Sequence, residues 1–192
     1  MKKIIYRYVV LTIILVGTGL ILSSVYEIIN AKHKMKKSIY DIESTLKKDK
    51  KDKSKDNNKN IENDEFIGLL TLEKNNIKIP IIEGTSEESL KKGAGHLKGS
   101  GMPPNKDECF LFGHRDTVFS HLQYIKKNDL LTLKNCTGEY RYKVIYTKVT
   151  EINKNEVLKK YGSNTLILVT CYPFRYIGSA PKRYIVVCLL EK

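Results

Sequence analysis

Over residues 66–190 the apolar residues fall into short runs broken by turn-forming residues, a pattern that favours strands over helices. FIGLLTL (66–72) and IKIPII (77–82) flank Asn75-Asn76, a hairpin signal. Further runs cover 108–112, 130–133, 140–149, 165–170 and 183–190, and a weaker one at 93–97 makes eight. Helix signals are few. Thr85-x-x-Glu88 matches a capping box and Gly93 a stop, which predicts a short helix over 86–92. Helical turns fit 118–125 and 155–161. The class this predicts is all-β, a closed barrel or a sandwich with short helices.

What precedes that block is of two other kinds. Residues 8–26, YVVLTIILVGTGLILSSVY, contain no charge across 19 positions, about the length of a bilayer-spanning helix. Tyr6, Tyr8 and Tyr26 stand where an aromatic belt would lie. A cleaved signal peptide would have a shorter apolar core and a small-x-small cleavage site. The residues that follow are instead Glu27-Ile28-Ile29-Asn30. The expectation is therefore a tail over 1–7 and an uncleaved single-pass anchor over 8–29. Basic residues flank both ends (Lys2, Lys3 and Arg7 before; Lys32, Lys34, Lys36 and Lys37 after), so charge does not orient it.

Residues 30–62 read as a charged linker or stalk. Positions 32–62 hold 11 Lys/Arg and 6 Asp/Glu and too few apolar residues to offset the entropy of ordering. A short helical stalk fits 35–46. Residues 63–192 form the one block long enough for a substantial core. The formal charge of the chain, +13, favours an anionic neighbour such as a cell envelope. A nucleic-acid role would need basic residues interleaved with aromatics on one face, and no such motif stands out.

The segments LFGHRDT (111–117) and TLILVTCYPFRYIGSAPKRYIVV (165–187) carry the chemistry. Each sets a polar group at the end of an apolar strand, where a rigid element meets an open rim. His114 ends one strand, Cys171 ends another and Arg183 begins the last. A thiol becomes a nucleophile when a base or cation raises its thiolate fraction. An imidazole beside it can carry a proton to a leaving amine. A guanidinium can hold a carbonyl or the oxyanion it becomes. Plainer readings compete. A lone Cys in an apolar run is usually a small buried hydrophobe, which suits Cys109 and Cys188. Cys136 falls in a turn, and disulfide pairing of Cys171 would remove the nucleophile. His121 lies in the helical turn VFSHLQYI, and His33 in the linker. Arg175, in the loop after Cys171, competes with Arg183 for the cation role. Asp116 either orients the His114 region or caps the turn that follows.

Leu168-Val169-Thr170-Cys171 resembles the sortase signature Thr-Leu-x-Thr-Cys, with Ile167 in place of the first Thr. Gly113-His114-Arg115 is similar to the sortase histidine motif, and Arg183 to the family's arginine, twelve residues after the cysteine. GAGHLKGSGMP (93–103) resembles another family stretch, although Met102-Pro103-Pro104 replaces its usual Pro-Gly, and His96 in it is not a family catalytic residue. The likeness covers about residues 66–190. Cys171-Tyr172-Pro173-Phe174 and Gly178-x-Ala180-Pro181 are most like class D. The chain has no Asp-Pro lid motif of the pilus-polymerising branch. It also has little room at 150–164 for the extra helix of class B.

The resemblance implies an eight-stranded closed β-barrel held outside the cell membrane, acting as a cysteine transpeptidase. In that reading Cys171 attacks the Thr carbonyl of a Leu-Pro-x-Thr-Gly-like sorting signal, and His114 protonates the leaving amine. A thioester forms, and an amine on a lipid II-type peptidoglycan precursor resolves it. Arg183 binds the signal backbone or the oxyanion, and Thr170 helps there. No cofactor or metal is implied, since no acidic cluster argues for calcium. Two alternatives stand beside it. One is a hydrolytic cysteine protease, although His precedes Cys here, unlike papain, and Leu-Val-Thr-Cys-Tyr is not the Gly-x-Cys-Gly turn of a chymotrypsin-like enzyme. The other is a tethered adhesion module in which Cys171 is merely buried.

Overall fold

The computed structural model describes residues 7, 11–26, 29 and 66–191, in two compact units, residues 1–37 and 38–192. In the first unit residues 11–26 form a helix, α1, with Leu11, Ile13, Ile14, Leu15, Val16, Leu20, Ile21 and Leu22 exposed. Among the described residues no helix is long and apolar enough to cross a membrane. The described length, at about 1.5 Å per residue, reaches roughly 24 Å, short of the roughly 30 Å hydrocarbon core. The ends of the expected anchor at 8–10 and 27–28, and the linker 30–62 with its stalk 35–46, lie outside the described residues.

The second unit is an eight-stranded closed barrel. Its strands are β1 (Phe66–Leu72), β2 (Ile77–Glu83), β3 (Ala94–His96), β4 (Cys109–Phe112), β5 (Leu130–Lys134), β6 (Glu139–Glu151), β7 (Thr165–Tyr172) and β8 (Lys182–Leu190). They follow one another around the barrel as β1-β2-β3-β4-β7-β8-β6-β5, and β5 returns to β1. The β2–β3 and β4–β7 pairs are parallel, and the rest are antiparallel. Two short helices, α2 (Glu87–Lys92) and α3 (Lys154–Val157), complete it with 3-10 turns at Glu73–Asn75 and Ser120–Tyr124.

Two apolar clusters explain why β7 reads as a continuous apolar run rather than an alternating one. Leu166 and Leu168 point into the barrel with Cys109, Leu111, Val186 and Cys188. Ile167 and Val169 point the other way, into a second cluster with Phe110, Ile185, Val187 and Val157. Leu158 and Tyr161, from the segment between β6 and β7, also pack on this outer cluster. Both faces of β7 are thus covered, as in strands buried on both sides.

Local chemistry departs from expectation around α2. Ser86, not Thr85, is the N-cap, accepting from the Ser89 amide at 3.1 Å. Glu87 and Glu88 then fall in the first turn, where the helix dipole favours acid. Gly93 ends the helix in an extended conformation (φ −178°) rather than a left-handed cap. In the β1–β2 connection Asn76 is the left-handed residue (φ 48°), following the 3-10 turn.

Candidate active site

Strand pairing sets Cys171 and Arg183 on one face at one end of the barrel, and His114 follows β4 at that same end. Cys171 is the penultimate residue of β7, so the strand runs one residue past the thiol. It is directly opposite Arg183 in the antiparallel β7–β8 ladder. Side chains of directly opposed residues share a face, with Cβ atoms about 4.5–5.5 Å apart. On β7's other side, Phe112 of β4 pairs with Val169 in parallel, and the Gly113 amide donates to the Val169 carbonyl at 3.1 Å. β4 ends at Phe112, so His114 lies two residues beyond the strand rather than at its end, in the segment that the Gly113 amide ties beside β7. Alternation gives the face. Cys171 continues the Ile167–Val169 row and Arg183 the Ile185–Val187 row. Cys171 and Arg183 therefore stand on the outer face of the barrel wall, at the head of the outer apolar cluster, and His114 follows β4 at the same end of the barrel.

The His114 segment is held from beneath. A Cβ at Gly113 would lie 2.7 Å from the Phe119 ring, so only glycine lets that fully buried aromatic pack there. The Phe119 amide in turn donates to the His114 carbonyl at 2.9 Å. Thr170 lies on the inner face, 2% exposed, and its hydroxyl donates to the Gly113 carbonyl at 2.6 Å. The structure thus joins Thr170 to the segment that leads into His114 rather than to the face that carries Cys171. Arg183 is half-buried, and its Nη1 donates to the carbonyls of Lys182 (3.0 Å) and Ala180 (3.4 Å).

The remaining sulfur and imidazole groups are engaged elsewhere. All four cysteines are free thiols. Burial pushes the Cys109 thiol up to about 12 and raises Cys188 as well, which keeps both neutral. Cys171 is partly exposed. His96 is buried, with Nδ1 2.8 Å from Glu83 and Nε2 3.0 Å from the Ser100 hydroxyl and 3.2 Å from the Gly101 carbonyl. His121 lines a separate hollow with Leu72, Glu73, Tyr124 and Ile125. Arg175 is exposed in the loop after β7. Among the described residues no three His, Cys, Asp or Glu side chains converge to hold a metal.

Sequence reasoning gave no tying role to the two residues that hold down the segments flanking the site. Glu108, just before β4, accepts from the amides of Tyr161 and Gly162 (2.8 Å for the latter), which pins the β6–β7 segment across the outer cluster. Arg115, just after His114, donates through Nη2 to the carbonyls of Tyr176 (2.9 Å) and Gly178 (3.0 Å) in the β7–β8 loop. Their partners are backbone groups more than 50 residues away, for which a single sequence carries no local signal. The aromatic group of Tyr172, Phe174 and Tyr184 was equally hidden, its rings 5.2–6.3 Å apart and backing the strand end on its inner side.

Residues 70–191 match the family model described as Sortase domain. Over 120 residues the chain is 42% identical to Sortase D of Bacillus subtilis (strain 168), a match covering 62% of this chain. It spans 61% of that relative, less than two thirds of its length. The structure resembles that of sortase C1 of Streptococcus agalactiae in its complex with MTSET, with a TM-score of 0.60, 27% identity and coverage of 67% of this chain and 68% of the other. It also resembles the Clostridium perfringens Sortase D5 transpeptidase, with a TM-score of 0.57, 25% identity and coverage of 66% and 79%.

Proposed function

The chain belongs to the sortase family, most like class D, and from that membership we propose that it is a membrane-anchored cysteine transpeptidase. It cleaves a Leu-Pro-x-Thr-Gly-like sorting signal at the Thr and passes the surface protein to a peptidoglycan-precursor amine. One observation carries the reading: Cys171 stands directly opposite Arg183, and the residue before His114, Gly113, is bonded to Val169 on the other side of the same strand. A partly exposed thiol with an imidazole and a guanidinium at the same barrel end is the set of groups acyl transfer uses.

The steps follow from that placement. The Cys171 thiolate adds to the Thr carbonyl carbon. The carbon–nitrogen bond breaks, and His114 gives its proton to the leaving amine. The resulting thioester is attacked by the incoming amine, which loses a proton to His114 as the carbon–sulfur bond breaks. Nη1 of Arg183 already serves the Ala180 and Lys182 carbonyls, so Nε–H and Nη2–H are the donors for the signal backbone or the oxyanion. Thr170 supports the oxyanion region indirectly, by fixing the Gly113–His114 segment.

The helix at 11–26, within a 19-residue uncharged run, supports a single-pass anchor with the catalytic domain outside the cell and residues 30–62 as its tether. Incubation of the purified chain with sorting peptides tests the reading by mass spectrometry. A mass increase at Cys171 equal to the acyl fragment, discharged by added amine, is the expected result. Peptides left intact across such a panel would refute it.

A further inference from the structure

The loop between β7 and β8 begins two residues after the thiol and ends at the strand that carries Arg183. Its apex is apolar and unburied: Ile177 is fully exposed and Tyr176 about half exposed (49%). One side chain fixes this apex. Nη2 of Arg115 holds the carbonyls of Tyr176 and Gly178, the two residues flanking Ile177, and the Arg115 guanidinium carbon lies 5.8 Å from the Tyr176 ring centroid. A single planar group thus clasps the backbone on both sides of Ile177. The loop's conformation there depends on a residue 61 to 63 positions earlier in the chain.

Arg115 follows His114 directly, so the clasp ties the apex to the imidazole's segment. That is the side of the thiol on which a proton must pass to and from an amine. Given the transpeptidase reading above, we propose that Arg115 is a positioning residue for the incoming amine substrate, and that Ile177 is the apolar contact it presents to the group bearing that amine. The step served is aminolysis of the Cys171 thioester. The amine nitrogen bonds to the acyl carbon, the carbon–sulfur bond breaks, the thiolate is restored and His114 takes the proton. The glycine that leaves in the first step is too small to use an apolar contact, whereas an acceptor carried on a larger stem can.

The experiment loads the full chain with a sorting peptide that ends at the glycine after the scissile bond, so that only the acceptor reaches the apex. Two amines then compete with water: hydroxylamine, too small to touch Ile177, and the dipeptide alanyl-leucine, which brings an apolar side chain. Ile177→Ser is expected to lower the ratio of dipeptide transfer to hydroxylamine transfer by about tenfold, the scale of one apolar contact in a selective site. Arg115→Ala is expected to lower the same ratio comparably, and Arg115→Lys less, because an ammonium keeps the charge but not the planar fork. If Arg115 works through Ile177, the double variant is no worse than the more damaged single one. An unchanged ratio in Ile177→Ser, or additive losses in the double variant, overturns the proposal. So does an Arg115→Ala enzyme that loses both transfers equally, since Arg115 would then act on His114 itself. Failure of the unsubstituted chain to form a thioester would instead overturn the transpeptidase reading.

Discussion

Cys171 and Arg183 are direct partners across the β7–β8 ladder, while the neighbouring pair, Thr170 and Tyr184, turns to the inner face. One step of strand alternation thus separates the residue that holds the scaffold from those that face substrate. A one-residue slip between β7 and β8 would send the thiol into the barrel and set Thr170 outside. The buried hydroxyl bond from Thr170 to Gly113 guards that register. Thr170→Val removes it, strands the Gly113 carbonyl and is expected to cost about 1–3 kcal/mol of stability, read by urea unfolding.

Cys171→Ala is expected to abolish peptide cleavage and leave the fold intact. Cys109→Ala and Cys188→Ala remove small buried groups from the barrel interior and are expected to lower stability by about 1 kcal/mol with activity retained. Turnover by Cys171→Ala would refute the assignment of the nucleophile.

The imidazole assignment has a direct competitor. His121 lines the hollow near the β1–β2 connection and shares no element with Cys171. His121→Ala is expected to stay within about tenfold of the unsubstituted rate, a barrier change near 1.4 kcal/mol, and His114→Ala to lose far more. Peptide-cleavage kinetics showing the reverse ranking would identify His121 as the base.

Buried thiols give the fold an alkaline limit. Cys109, raised from an ordinary 9.0 to about 12, stays protonated in the folded chain where the unfolded chain ionises. Its stabilising effect is complete below pH 9 and is lost as pH rises from 9 towards 12. Over that window it steepens the fall by up to about 1.4 kcal/mol per pH unit. Cys188, Tyr142 and Tyr161 are shifted upward as well, and each adds in the same sense. Urea midpoints measured between pH 8 and 11 are expected to fall less steeply for Cys109→Ala than for the unsubstituted chain. Parallel slopes would show that the thiol ionises freely in the fold.

The barrel was legible in the sequence because each strand carries its own apolar run and each turn its own breaker, both local signals. The places of Cys171 and Arg183 beside strand ends were legible because periodicity stops there: each lies one residue inside its strand's end, whereas His114, expected at a strand end, lies two residues beyond β4. The ties were not. Glu108 and Arg115 are charged residues beside a strand, indistinguishable in sequence from ordinary solvated ones, and their partners are backbone groups that only the closed barrel brings near. Thr170 was read as a substrate-facing residue from its place beside the cysteine. Which way its hydroxyl points depends on strand alternation against a partner that the sequence does not name.

Glu108→Ala is expected to loosen the β6–β7 segment, since it removes the partner of the part-buried Tyr161 amide and frees the exposed Gly162 amide to water. A loss of about 1 kcal/mol follows, with new protease sensitivity within 152–164. Glu108→Gln keeps an acceptor oxygen and is expected to lose less. Unchanged proteolysis of Glu108→Ala would show that apolar packing of Val157, Leu158 and Tyr161 holds the segment alone.

The cation role separates Arg183 from Arg175. Arg183 lies in β8, its backbone fixed by the ladder opposite Cys171. Arg175 is exposed in a loop that Arg115 clasps beyond it, at residues 176 and 178. A donor aimed at a developing oxyanion has to be held close to its productive position, which a strand does better than a loop. Removing such a donor typically lowers the rate about a hundred- to a thousandfold. Arg183→Ala is expected to fall by that much and Arg175→Ala to remain near normal. Arg183→Lys is expected to recover little, because one ammonium cannot both hold the Ala180 and Lys182 carbonyls and reach substrate as the guanidinium can. Steady-state transpeptidation by the three variants decides it: an active Arg183→Ala enzyme beside a dead Arg175→Ala one would move the role to the loop.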